Sequence, residues 1–165
     1  MSSPTHIMLT TSRPVHHLVL APVILWMAAY PAAMAAQSGT RAINPPGLSP
    51  LAPVYSVAIR AGNQVFVSGM TGVKPGTQDI IEGGVEAQTR QTLQNIRTSL
   101  QAAGATMPQV VECTVFLTDM ADYAAMNHVY TEFFPVAPPA RATVAVTALP
   151  RPAARVEIKC SAVVL

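Results

Sequence analysis

Val85, Thr89, Leu93, Ile96, Leu100 and Ala103 recur at spacings of three and four, the stripe that an amphipathic helix presents to a packing surface. Glu86 falls in the first turn, where the helix dipole favours a negative charge, and Gly104 follows as a stop. Most of the stability of such a helix comes from laying its stripe against apolar partners. The flanking segments indicate what those partners are. Val110 to Thr118 (VVECTVFLT), Ala142 to Leu149 (ATVAVTAL) and Arg155 to Leu165 (RVEIKCSAVVL) are rich in β-branched residues and read as strands. Upstream, YSVAIR and QVFVSG are separated by Ala61-Gly62-Asn63, and Gly and Asn tolerate the positive φ of a hairpin turn. Between Met70 and Gly84, Gly72, Pro75, Gly76 and Gly83 have the composition of a loop. Asp119 is placed to cap a second helix with apolar positions at Tyr123, Met126, Tyr130 and Phe133, ending before Pro135. The predicted class is α+β: a ββαβαββ sandwich in which two helices cover one face of a mixed sheet. In the last strand Val156, Ile158, Cys160, Ala162 and Val164 share one face. Arg155, Glu157, Lys159 and Ser161 share the other, so Glu157 is expected to point away from the main core.

The N-terminal part of the chain has a different character. Pro14 to Thr40 contains no Asp, Glu, Lys or Arg, and Leu18 to Ala29 (LVLAPVILWMAA) is apolar, preceded by Arg13, His16 and His17. Ala33-Met34-Ala35 fits the small-residue cleavage rule, and the apolar core, interrupted by Pro22, is shorter than the ~20 residues needed to span a bilayer. The reading is a secretory signal peptide over residues 1–35, an irregular proline-rich connector over 36–53 and a folded domain over 54–165. A periplasmic or secreted location is expected, with no stable membrane insertion after cleavage. An uncleaved anchor and a misassigned start in front of a cytoplasmic domain are the alternatives.

Charge and histidine content remove several function classes. Only Arg13 of the ten Lys/Arg residues, and none of the eight Asp/Glu, lies in the first forty positions. The remainder is nearly balanced and contains no basic run, which argues against nucleic acid as a partner. His128 is the only histidine beyond the leader, too few for a multi-histidine metal site or a Ser-His-Asp triad within one chain. The glycines form neither a dinucleotide fingerprint nor a P-loop. Cys113 and Cys160 form no CxxC pair and read as buried strand residues, with a disulfide conceivable in an exported domain. What remains is Arg141, at the entrance to a strand after Pro138-Pro139-Ala140, and Glu157 on the polar face of the next strand. A guanidinium can clamp a carboxylate with two parallel hydrogen bonds, and a partly buried carboxylate can orient a water or move a proton. Spacing alone favours a structural Arg–Glu pair or two solvent-facing charges over a site.

PPARATVAV (Pro138 to Val146) followed by RVEI (Arg155 to Ile158) resembles the signature of the RidA/YjgF family, also called the L-PSP or reactive-intermediate deaminase family. The similarity extends through YSVAIRAGNQVFVSG, GGVEAQTRQTLQNI and the segment Leu100 to Phe134, and is collinear over Pro50 to Leu165. The resemblance implies a chorismate-mutase-like fold, a homotrimer with clefts between subunits, and hydrolysis of 2-aminoacrylate and related enamines or imines to 2-keto acids and ammonia. It implies no metal and no organic cofactor. Arg141 matches the arginine that binds the substrate carboxylate, Glu157 the glutamate that positions water, and Tyr55 a first-strand tyrosine whose hydroxyl lies near the substrate. Ser68, Asn127 and the backbone of Thr143 match weaker cleft-lining positions. Thr143 and Met70 depart from deaminating members that carry Cys and Gln there, which puts the identity of the imine in doubt. The resemblance leaves two other classes in view: a non-catalytic trimer that binds a small carboxylate, and an endoribonuclease or translation inhibitor, which the absent basic patch disfavours.

Overall fold

A computed structural model of the protein describes residues 39–48, 50 and 53–165. The signal-peptide reading and the cleavage site before Ala36 lie outside the described residues. The elements run β1 (Thr40–Ile43), β2 (Ala58–Ala61), β3 (Gln64–Thr71), α1 (Gly84–Ala102), β4 (Val110–Leu117), α2 (Tyr123–Phe133), β5 (Ala140–Ala145) and β6 (Val156–Val163), with short 3-10 turns at Met107–Gln109 and Met120–Asp122. They build one six-stranded sheet in the order β1-β2-β3-β6-β4-β5. The β4–β5 pair is parallel and the others antiparallel, so the sheet is mixed.

The α1 stripe behaves as its spacing predicts: Val85, Thr89, Leu93, Ile96 and Leu100 are buried, and the helix packs on β3, β6 and α2. Its neighbouring stripe, Gln88, Thr92, Asn95 and Ser99, is also buried although polar. Two of these side chains are held by backbone groups of loops. Gln88 Nε2 donates to the Ala153 carbonyl at 3.0 Å while Gln88 Oε1 accepts from Arg155 N at 2.7 Å. Asn95 Nδ2 donates to the carbonyls of Thr71 and Val73 at 3.1 and 2.9 Å. α1 therefore fixes both the loop after β3 and the loop before β6. α2 is joined to α1 by Arg90–Glu132 and by Arg97 over the Phe133 ring. Asp119 caps as expected, but it accepts from Ala121 N in the 3-10 turn rather than within α2 itself.

Three expectations change. Thr40–Ile43 is a strand, antiparallel to β2, where proline content suggests an irregular connector. The prolines all follow it, and a chain with only one sheet neighbour needs just one line of backbone partners. Tyr55 lies in a bend ahead of β2 rather than on a strand. β5 ends at Ala145, before the end of the ATVAVTAL run. The two-residue loop Gly62–Asn63 closes β2 onto β3, with Gly62 at φ 60. Cys113 and Cys160 face each other across β4 and β6 and form a disulfide with their Cα atoms 4.1 Å apart.

Candidate functional site

The alternation predicted for β6 is observed: Val156, Ile158, Cys160 and Ala162 are buried toward the helices, and Glu157 projects from the opposite face. β3 carries a bulge between Val67, paired with Cys160, and Met70, paired with Ile158. The extra residue falls at Ser68–Gly69, beside Glu157. Bulges commonly re-aim the chain next to functional sites. A Cβ placed on Gly69 would sit 2.8 Å from Glu157 Cδ and closer still to Oε1, so the carboxylate lies over the bare glycine. Glu157 has no hydrogen-bond or ion-pair partner among the described residues. Burial alone pushes its pKa above the ordinary carboxylate value.

This carboxylate opens on a cavity of about 370 Å³ lined by Tyr55, Ser68, Gly69, Thr71, Pro150, Arg151 and Glu157. The approach of Tyr55 is set by local hydrogen bonds. Ser68 Oγ donates to the Ser56 carbonyl at 2.7 Å, Ser68 N donates to the Val57 carbonyl at 3.0 Å, and Val57 N donates to Asn44 Oδ1 at 2.9 Å. Ser68 thus spends its proton on tethering the tyrosine segment, and the residue just past β1 finishes the tether.

Arg141, Asn127 and Thr143 gather elsewhere. Arg141 is the parallel partner of buried Cys113 and therefore points to the helix face of β5, the face opposite Glu157. Its guanidinium lies 4.6 Å from the Tyr130 ring centroid and 5.8 Å from that of Tyr123, and Nη2 reaches the Tyr123 hydroxyl at 3.4 Å. A hydrogen bond from Asn127 and the Arg141 charge lower the Tyr123 pKa. Burial pushes the Tyr130 phenol up to about 12, against the pull of Arg141. The Tyr130 hydroxyl and Thr143 Oγ1 are buried with no hydrogen-bond partner among the described residues. His128 is exposed and takes no part.

A single chain therefore brings Tyr55, Ser68 and Glu157 together, and separately Arg141, Asn127 and Thr143, but does not bring the two groups into one cavity. Sequence reasoning missed Arg151, Gly69 and the aromatic support of Arg141. Only Arg151, an arginine between two prolines just ahead of the strand carrying Glu157, left a usable signal.

A mixed sheet covered by two helices on one face, with a carboxylate in a cleft on the other, defines a small α+β domain of the chorismate-mutase-like type. The chain belongs to the Endoribonuclease L-PSP family, the RidA/YjgF family, whose model matches residues 48–164. It is 44% identical over 108 residues to the chloroplastic Reactive Intermediate Deaminase A of Arabidopsis thaliana, covering 66% of this chain and 57% of that one. It is 39% identical over 109 residues to a 2-iminobutanoate/2-iminopropanoate deaminase of Mus musculus, covering 66% and 80%. Among solved structures, E. coli TdcF with bound serine superposes with a TM-score of 0.69 at 32% identity, covering 74% of this chain and 98% of that one.

Proposed function

We propose that the protein hydrolyses reactive enamines and imines of the 2-aminoacrylate class to 2-keto acids and ammonia, in clefts between subunits of a homotrimer. The observation that carries this is the Glu157 carboxylate, half-buried, without a partner among the described residues and laid over Gly69 in a cavity shared with Tyr55. A structural carboxylate would be paired; one kept unpaired in a cleft is positioned to accept a proton from water. The relatives named for reactive-intermediate and imine deamination, and the related structure that holds serine, supply the substrate class: a small molecule bearing an α-carboxylate.

In the reaction the enamine is first protonated at its terminal carbon to give the imine. Water then adds to the imine carbon while its proton passes to Glu157. The resulting carbinolamine collapses, its nitrogen leaves as ammonia after protonation, and a C=O replaces the C=N. The imine carbon is already electrophilic, so orientation and proton handling supply the catalysis. Arg141, stacked on Tyr130, holds the substrate carboxylate from the neighbouring subunit, and Tyr55 approaches the reacting end. Two buried hydroxyls beside Arg141, on Tyr130 and Thr143, lack partners among the described residues, and a ligand or the adjoining subunit would satisfy them.

The leader pattern, together with a disulfide in the domain, supports export to the periplasm or outside the cell, because such bonds persist in oxidising compartments. The test follows ammonia and keto-acid release when the full chain meets 2-aminoacrylate or 2-iminobutanoate generated in situ. Acceleration that is lost in Arg141→Ala and Glu157→Gln supports the reading. A folded trimer that binds keto acids but accelerates nothing is a carboxylate-binding protein instead.

A further inference from the structure

Arg151 lines the same cavity as Glu157 and Tyr55, and three observations separate it from an ordinary surface arginine. It stands between Pro150 and Pro152, so the backbone on both sides is restricted before any ligand arrives. Its guanidinium is clamped by one residue of the loop after β3: Nη1 donates to the Gln78 carbonyl and Nη2 to Gln78 Oε1, both at 2.6 Å. That uses two of the five N–H donors a guanidinium offers, and no carboxylate among the described residues lies within ion-pair distance of it. The result is a fixed, uncompensated cation with unused donors at the rim of the catalytic cavity. The cavity also separates it from Glu157: burial raises the Glu157 pKa and no cation offsets it.

The single carboxylate of a three-carbon imino acid is accounted for by Arg141, which leaves the unused donors of Arg151 in the Glu157 cavity without an anion. We propose that Arg151 receives a second carboxylate, so that the site takes 2-imino dicarboxylates, such as 2-iminosuccinate and 2-iminoglutarate, in preference to imino acids with short apolar side chains. This rests on the imine-deaminase reading. It adds to that reading a specificity residue whose immobilisation lowers the ordering cost of binding the distal anion.

The experiment compares kcat/KM of the full chain for 2-iminoglutarate and 2-iminobutanoate, each generated in situ, in the wild type, Arg151→Ala and Arg151→Lys. The expected result is a wild-type preference for the dicarboxylate that falls roughly ten- to a hundredfold in Arg151→Ala, the size of a lost charge-assisted hydrogen bond. The rate on 2-iminobutanoate should stay within about threefold, and Arg151→Lys should recover part of the preference. A fall on both substrates together would make Arg151 a holder of the α-carboxylate. A lowered melting temperature with an unchanged ratio would make it a clip between loops. Either overturns the proposal. Titration calorimetry with the stable keto acids 2-oxoglutarate and 2-oxobutanoate reads the same discrimination without turnover. If the wild type accelerates no imine, the deaminase reading fails while calorimetry still decides Arg151. Selective weakening of 2-oxoglutarate in Arg151→Ala sustains its role, and equal binding of the two acids in wild type and variant removes it.

Discussion

Gly69 and Glu157 form a pair whose chemistry depends on one of them having no side chain. A methyl group at 69 would meet the end of the Glu157 side chain and not a backbone, so the carboxylate swings aside at small cost to the fold. Gly69→Ala is expected to melt within a few degrees of the wild type yet to lose roughly a hundredfold or more in kcat/KM, a displaced group costing about what misorientation costs. Wild-type activity in a well-folded Gly69→Ala would remove Glu157 from the mechanism. Glu157 also makes a prediction about pH. Its pKa is raised in the folded state by burial, so the native protein binds the extra proton in the window between the unfolded value, near 4.5, and the raised one. This contribution to stability is fully present below 4.5 and is lost as pH rises through the folded pKa. Glu157→Gln should accordingly melt higher than the wild type at pH 7.5, with the gap closing in acid, while being inactive. The acid limb of the wild-type kcat/KM profile should lie above the ordinary carboxylate range, since only the ionised form accepts a proton from water. A melting difference that is flat across pH would contradict the raised pKa.

At the scale of elements, the disulfide between β4 and β6 joins two neighbouring interior strands of the sheet across a sequence separation of 47. Closing a loop of that length stabilises by about 2–4 kcal/mol through the unfolded chain. Reduction, or the double change Cys113→Ala with Cys160→Ala, should lower the denaturation midpoint by a corresponding amount and leave the urea-titrated protein able to refold. No shift on verified reduction would show that the bond adds nothing. Much of this layout was legible in advance because periodicity reports local environment. The α1 stripe gave the helix, and the alternation in β6 gave the face of Glu157. Three features were out of reach for a physical reason. β1 is four residues long, too short for a pattern to register. The Ser68–Gly69 bulge shows only against its partner strand. The facing of Arg141 depends on which strand β5 joins: its register with Cys113 turns it toward the helices, and neither composition nor spacing specifies pairing between distant segments. The buried polar stripe of α1 was equally hidden, since Gln88 and Asn95 are core residues only because loops from elsewhere supply their partners.

For the whole molecule, the opposite facing of Arg141 and Glu157 makes assembly a requirement of the proposed chemistry. Two side chains that leave opposite faces of one sheet cannot hold one small substrate between them, so a site using both must take one from each of two chains. The open face offers what an interface needs: Val144, exposed at 42%, pairs with Phe116, the cross-strand neighbour of Glu157, and Phe66, exposed at 44%, lies farther along the same face opposite Ser161, apolar surface that would favour association. Complementation tests this directly. Arg141→Ala and Glu157→Gln are each expected to be inactive as pure trimers. When the two are unfolded together in equal amounts and refolded, a cleft works wherever an intact Arg141 from one variant meets an intact Glu157 from the other. Random assembly of a cyclic trimer gives that combination in about one quarter of clefts, so about a quarter of the wild-type rate should return, and mixing without unfolding should return none until subunits exchange. If both residues served a cleft within one chain, every cleft in every mixed trimer would still lack one of them and no activity would appear. A monomer by light scattering at micromolar concentration, retaining full activity, would refute the shared cleft by a second route.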